Sequence, residues 1–426
     1  MKRLALALCV FALILASSVP SSAQFQMNFV LPLQGDSIIF DQVFRYIKDN
    51  YIYNFDLKKC RYELLKNLSP LAAAAAKDEK KTPCLDRHSA FHTPDEVKAM
   101  KEEQTGHFGG IGAEIEMKDK EVAVRRPMEG GPAERAGLKA GDVIIKVRDE
   151  KDAEWTWPKD TTEAVKKIRG PVGTAVFIVI KLPSAEIEFR IFREDIKMKF
   201  VESKVFGDIG YAHYKSFTET SADQLEDNFR ALRQRGINKV ILDLRNDPGG
   251  LLPGALETLF YFSKKDGDIM LTTRYKKHEI VDTIGNSKGK YVDPKTNAPK
   301  NPGEFADMKV VVLVNGRSAS ASEITSGTLQ DWGYTIIGEN TYKKGVGQTV
   351  FPLADGSGLR LTTFEFLTGN GKRKVNDVGI KPDIEVKWEK RPGQKDEEFM
   401  KEYADSFGDP AKDPQLQKAL EVIGKM

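Results

Sequence analysis

Two stretches of this chain hold residue types that together could open an amide bond. The longer runs from Lys309 to Gln348. A β-branched run, Val310-Val311-Val312-Leu313-Val314, leads through an Asn315-Gly316 turn into Ser318-Ala319-Ser320-Ala321-Ser322. A helical pattern with Ile324, Thr328 and Leu329 on one side follows. The run has the continuous apolar character of a strand buried on both faces. A hydroxyl at a helix start lies beside unpaired N–H groups that favour negative charge, and alanine neighbours let a substrate backbone approach. Ser320 is the candidate nucleophile. None of the five histidines has a comparable setting, so the base must be another group. Lys344 lies 344 − 320 = 24 residues on, before Gly345-Val346-Gly347-Gln348. Its amine can take a proton if burial keeps it neutral. The second stretch is Pro248-Gly249-Gly250, after the apolar run Lys239 to Leu244. Both apolar strands would end on one sheet edge, where open α/β folds place their sites. An oxyanion would take the N–H of Ala321 and that of Gly249 or Gly250.

Competing patterns are weaker. The three serines could be an N-cap cluster without chemistry. Gly285 to Gly289 matches a nucleophile elbow and Ser287 to Lys290 an S-x-x-K motif, but neither has a buried strand before it and a helix after it. Arg245 and Asp247 read as anchors of the glycine turn, and Asp243 on the apolar strand needs a partner. No Cys/His cluster has zinc spacing, so no metal or cofactor is expected. Of three cysteines, Cys9 lies in the leader, and Cys60 and Cys84 could pair.

The elements around these stretches suggest several domains in 426 residues. Lys2-Arg3, the apolar Leu4 to Leu15 and Ser21-Ser22-Ala23 form a signal-peptide pattern over residues 1–23. This implies export to a periplasm or cell envelope, or attachment to the membrane if the segment stays uncleaved. The net charge is +3, or 63 − 62 = +1 without Lys2 and Arg3, which argues against nucleic-acid binding. Residues 24–105 read as helical: Phe40, Val43, Phe44 and Ile47 share a face, a second helix runs from Tyr62 through Ala72–Ala76, and Thr93 caps a third. Asn67-Leu68-Ser69 is a glycosylation triplet by pattern only. Residues 106–195 read as a small α+β unit. Residues 196–388 return to longer α/β alternation, with a helix Ala222 to Arg233 and a lysine- and glycine-rich excursion, Lys264 to Pro302, expected as a loop or hairpin. Residues 389–426 are charged and end in a helix, Pro414 to Ile423, that docks or floats.

FGGIG (Phe108 to Gly112) and GGPAERAGLKAGDVIIKV (Gly130 to Val147) resemble a PDZ domain in its circularly permuted bacterial form. The resemblance implies that Gly110, Ile111 and Gly112 offer N–H groups to a peptide's C-terminal carboxylate, the peptide adding as a strand to a sheet edge. N-x-x-S-A-S-A-S-E-I, D-L-R-N-x-P-G-G-L-L and G-E-x-T-x-x-K-G-x-x-Q resemble the C-terminal processing peptidases, from about Phe40 to Val386. That resemblance implies a multidomain α/β chain: a crotonase-like α/β protease core, an inserted PDZ domain and a helical N-terminal region. It implies a serine endopeptidase with Ser320 as nucleophile, Lys344 as base and Gln348 orienting the lysine. Tyr342-Lys343 departs from the family's phenylalanine-glycine, so a second cation stands beside Lys344. Partners would be protein C-termini, with an adaptor protein and self-association also expected. The alternatives are a catalytically silent PDZ scaffold that binds C-termini, an acyl-CoA enzyme on the same core fold, and a histidine-dependent PDZ protease.

Overall fold

The apolar run folds as strand Lys309–Val314, and its two neighbours account for its composition. This computed structural model describes residues 35–52, 86–294, 296–368 and 373–426. Strand Lys309–Val314 lies inside a six-stranded sheet, ordered Ile384–Glu385, Thr335–Gly338, Lys309–Val314, Lys239–Asp243, Ile209–Tyr214 and Val201–Phe206. All pairings are parallel except the last. Val310, Val312 and Val314 face helices Ser221–Gln234, Leu252–Phe262 and Ala321–Asp331. Val311 and Leu313 face the other way, against Leu416, Ala419 and Ile423 of helix Pro414–Gly424. A strand covered on both faces cannot alternate polar with apolar residues. The terminal helix therefore docks, as the second layer of the core.

A second sheet supplies the other wall of the site. Its central strand, Gly358–Thr368, pairs with Ala90–His92, Val346–Pro352 and Ile269–Tyr275. Ile269–Tyr275 and Glu279–Thr283 form a hairpin, so the polar excursion is a hairpin built into this sheet and not a free loop. Ser287 is buried in a short helical turn after it.

In chain order, between strands Ala90–His92 and Val201–Phe206, comes a five-stranded antiparallel sheet ordered Ala113–Lys118, Glu121–Pro127, Val143–Asp149, Ala175–Lys181 and Glu186–Phe192. Helices Pro132–Ala136 and Thr161–Ile168 accompany it, over a core that includes Ile111, Val124, Leu138, Val147 and Ile178. A two-stranded ribbon, His107–Gly110 with Glu194–Lys197, carries the chain in and out. Helix Pro94–Thr105 precedes it. Thr93 caps that helix, the Glu96 carboxylate accepts the Thr93 N–H (2.8 Å), and Gly106 ends it in the left-handed region.

Residues 1–45 and 46–426 are separate compact units. Within the first, the described residues belong to helix Gly35–Asn50, where the Phe40–Ile47 periodicity predicts one. The helix expected from Tyr62, the Asn67 triplet, Cys60 and Cys84 lie outside the described residues.

The C-terminal segment also secures the glycine turn. Arg245 is fully buried, and its Nη2 lies 2.6 Å from Asp243 and 2.7 Å from Asp413. Its Nη1 donates to Asp413 and Gln415, and the Phe407 ring lies 4.5 Å from the guanidinium carbon. Asp413 also caps helix Pro414–Gly424 by accepting the Leu416 N–H. Asp243 thus has its partner in Arg245. Removing one member of such a network strands a buried charge, which costs about 3–5 kcal/mol. Asp413→Ala should lose stability of that order in urea unfolding, although Asp413 is remote in sequence from the turn. A loss under about 1 kcal/mol would show that the network is not holding the segment.

Candidate functional site

The three serines separate by what their hydroxyls touch. Ser318 Oγ donates to the Leu244 carbonyl (2.8 Å), and Ser322 Oγ donates to the Asp247 carbonyl (3.0 Å). Both are fully buried and tie the serine loop to the glycine turn. The Ser320 hydroxyl donates to no group among the described residues, and Ser320 borders a cleft of about 490 Å³. Ser320 has φ 56° and ψ −112°. A non-glycine residue in the positive-φ region is held there by its surroundings, at a cost on the order of 1–3 kcal/mol.

Glu323 supplies much of that restraint. Its buried carboxylate accepts the N–H groups of Ser320 (2.9 Å), Lys343 (2.7 Å) and Lys344 (2.9 Å), and the Thr341 hydroxyl (2.5 Å). One side chain thus joins the serine loop to the lysine loop. Lys343 takes φ 76° and is exposed, whereas Lys344 borders the cleft with Ser320. The two adjacent cations thus differ in exposure, and among them only Lys344 lines the cleft. Glu323 was missed in the sequence, although S-x-x-E at residues 320–323 is a capping-box signature.

Lys344 is held below its ordinary pKa, chiefly by burial and next by the Arg360 guanidinium; Glu323 and Asp86 oppose this, and Arg87 adds to it. Burial raises the Glu323 carboxyl despite its four donors. Both shifts disfavour charge, as desolvation does. Gln348 borders the same cleft, but its amide donates to Thr362 Oγ1 (3.2 Å), which in turn donates to Asp86 (2.7 Å). No hydrogen bond joins Gln348 to Lys344 among the described residues.

The glycine turn meets the serine loop closely. A Cβ on Gly249 would lie 2.5 Å from the Ala319 carbonyl oxygen and 2.9 Å from Ser320 Cβ, and one on Gly250 would lie 2.0 Å from the Phe217 carbonyl oxygen. Both have positive φ, so glycine is required twice over. The open choice between their N–H groups narrows here. Gly249 N–H donates to Asp247 Oδ1 (2.8 Å), which corrects its place among the oxyanion donors. The N–H groups of Gly250 and Ala321 have no acceptor among the described residues. Asp247 is buried, and that burial pushes its carboxyl far above the usual range.

A further tie comes from helix Asp396–Ser406. Asn246 and Asn315 open the two loops, and their side-chain amides donate to the Tyr403 hydroxyl at 3.0 and 3.1 Å. Asn315 also accepts the Asn246 N–H. Ser287 does not border the cleft.

In the antiparallel unit, Gly110 ends the ribbon opposite Glu194. The carbonyls of Ile111 and Gly112 accept from Ala133 and Met128. Their N–H groups have no acceptor among the described residues. The next strand, Ala113–Lys118, is the sheet's edge, and helix Thr161–Ile168 lies against it. No group of His, Cys, Asp and Glu among the described residues could hold a metal ion.

Residues 208–386 match the model of peptidase family S41, and residues 124–182 match a PDZ domain. A "Probable CtpA-like serine protease" of Staphylococcus haemolyticus is 35% identical over 302 residues, 71% of this chain and 57% of that protein. One of the same name from Staphylococcus aureus is 34% identical over 322 residues, 75% of this chain and 61% of that protein. The chain thus spans about three fifths of the length of these relatives. A solved S41-type protease from Bacteroides fragilis shares the fold at 15% identity, with TM-score 0.50, over 90% of this chain and 97% of that one.

The charges around Lys344 can be tested by NMR titration of ¹³C-labelled lysines, with the Lys344 signal assigned through Lys344→Arg. Its midpoint should fall below 10.5. Arg360→Gln removes a cation that disfavours the ammonium, so the midpoint should rise. A shift of the opposite sign would refute this electrostatic account.

Proposed function

We propose that this chain, which belongs to the C-terminal processing peptidases of peptidase family S41, is a serine endopeptidase working through a Ser320–Lys344 pair. The observation that carries the proposal is the Glu323 carboxylate, which binds the Ser320 and Lys344 backbones together beside a cleft where Lys344 is held toward its neutral form. Ser320 Oγ attacks the scissile carbonyl carbon and passes its proton to Lys344 Nζ. The carbonyl oxygen becomes an oxyanion and accepts from Gly250 and Ala321. As the C–N bond breaks, the Lys344 ammonium returns the proton to the departing amine, leaving an ester on Ser320. Lys344 then takes a proton from water, the hydroxide attacks the ester, and Ser320 leaves with its proton restored.

The second part of the proposal concerns substrate choice. A protein's C-terminal carboxylate is received at Gly110, Ile111 and Gly112, and the peptide lies along the edge strand Ala113–Lys118. The N–H groups of Ile111 and Gly112, without an acceptor among the described residues, support this part. Export to a cell envelope is also proposed, on the basic-then-apolar pattern of residues 1–23.

Ser320→Ala and Lys344→Ala should each lower kcat on an unfolded protein substrate by more than about a thousandfold while retaining the parent's circular dichroism and melting curve. Because the neutral amine is the base, kcat/KM should rise with pH and level off below 10.5. A fluorophosphonate should label the parent at Ser320 and leave Ser320→Ala unlabelled. An unlabelled parent that binds C-terminal peptides and cuts none would instead be a scaffold.

A further inference from the structure

The Arg360 guanidinium, on the cleft, has no counter-ion among the described residues. Along strand Gly358–Thr368, alternate residues share a face, so Arg360, Thr362, Phe364 and Phe366 point the same way. Arg360, Phe364 and Phe366 border the cleft with Ser320 and Lys344, and Thr362 meets Gln348. The cleft floor is thus aromatic at one end and cationic at the other. Arg360 Nε donates to the His88 carbonyl (3.0 Å), which fixes the plane of the guanidinium. Its two terminal nitrogens make no hydrogen bond or ion pair among the described residues.

The fully buried arginines differ. Arg193 and Arg245 each use Nε and both terminal nitrogens in hydrogen bonds within the chain. Near Arg360, Glu323 is occupied by its four donors, and Asp86 accepts from Ser89 and Thr362. Glu103, on the cleft rim, is exposed and does not pair with Arg360. The half-buried guanidinium therefore presents a planar fork to the cleft with no internal anion to fill it. Such a fork matches a carboxylate bidentately.

We propose that Arg360 forms a carboxylate-binding subsite of the catalytic cleft, separate from the Gly110–Gly112 loop. This rests on the peptidase reading for the cleft's occupant, a peptide. The carboxylate comes from an aspartate or glutamate side chain near the scissile bond, or from the terminus of a short substrate tail lying in the cleft. Arg360 then does two things. Empty, it disfavours charge on Lys344; filled, it fixes the register of the peptide against Ser320.

The test uses the full chain with Ser320→Ala, so that peptides bind without turnover, read by fluorescence anisotropy. Labelled peptides with both ends blocked carry one glutamate, walked a position at a time, against twins with glutamine there. A second arm compares a free C-terminal acid with its amide in the all-glutamine peptide. At one glutamate position, or in the free-acid arm, the carboxylate peptide should bind about ten- to a hundredfold tighter than its twin. In Ser320→Ala/Arg360→Gln that ratio should fall to within about twofold. Arg360→Lys, which keeps the charge and loses the fork, should retain only part of it, and this separates recognition from misfolding. Which arm discriminates identifies the source. The proposal is overturned if every ratio stays near one, or if the ratio survives Arg360→Gln, which would assign the carboxylate to the Gly110–Gly112 loop. Binding is read without chemistry, so a protein that shows the Arg360 ratio but whose parent cuts no peptide would overturn the peptidase reading alone.

Discussion

A single buried carboxylate holds the two halves of the candidate site in register. Glu323 accepts from Ser320, Thr341, Lys343 and Lys344, so four donors from two loops converge on two oxygens. A buried carboxylate is tolerable only when its lone pairs are filled, and here they are filled by the groups whose positions matter. Glutamine could not substitute freely. It offers one acceptor oxygen, and its amide would face backbone N–H groups that are themselves donors. The positive-φ backbone at Ser320 and Lys343 fits the same logic: each is a conformation the chain would leave if the carboxylate released it.

A second set of buried polar groups fixes the glycine turn from the opposite side. Arg245 spans Asp243, at the end of a core strand, and Asp413, at the start of the terminal helix. Tyr403 meets Asn246 and Asn315 at the mouths of both loops. The C-terminal residues therefore cover one face of the core sheet and clamp the turn that brings Gly249 against Ser320. A buried ion pair is weak evidence for net stability, but it is demanding of geometry, and geometry is what a two-loop site needs.

Much of the site was legible because its signals were local. The apolar strand, the small-residue turn, the helix after it and the twin glycines are each contained within about a dozen residues, and together they point to Ser320 and to one of two glycine N–H groups. What escaped was set by distance. Tyr403 and Asn246 are separated by 157 residues, and Arg245 and Asp413 by 168; no periodicity links them. The docking of the terminal helix could be learned only from the outward face of strand Lys309–Val314. Glu323 is a different case, since its capping-box spacing was visible and its reach to the lysine loop was not. The adjacent lysines were ambiguous because neighbours on a loop have no fixed alternation, whereas φ 76° at Lys343 turns the two apart.

The cleft's electrostatics follow from where its charges are answered. Lys344 has no carboxylate contacting its amine among the described residues, Arg360 adds repulsion, and burial removes water from the ammonium. These effects all favour the neutral amine that a base requires. A guanidinium is a permanent cation with a planar fork of donors, so this position adds charge to the cleft and geometry with it. Its terminal nitrogens have no partner among the described residues, so the cleft keeps one charge that an incoming carboxylate can meet.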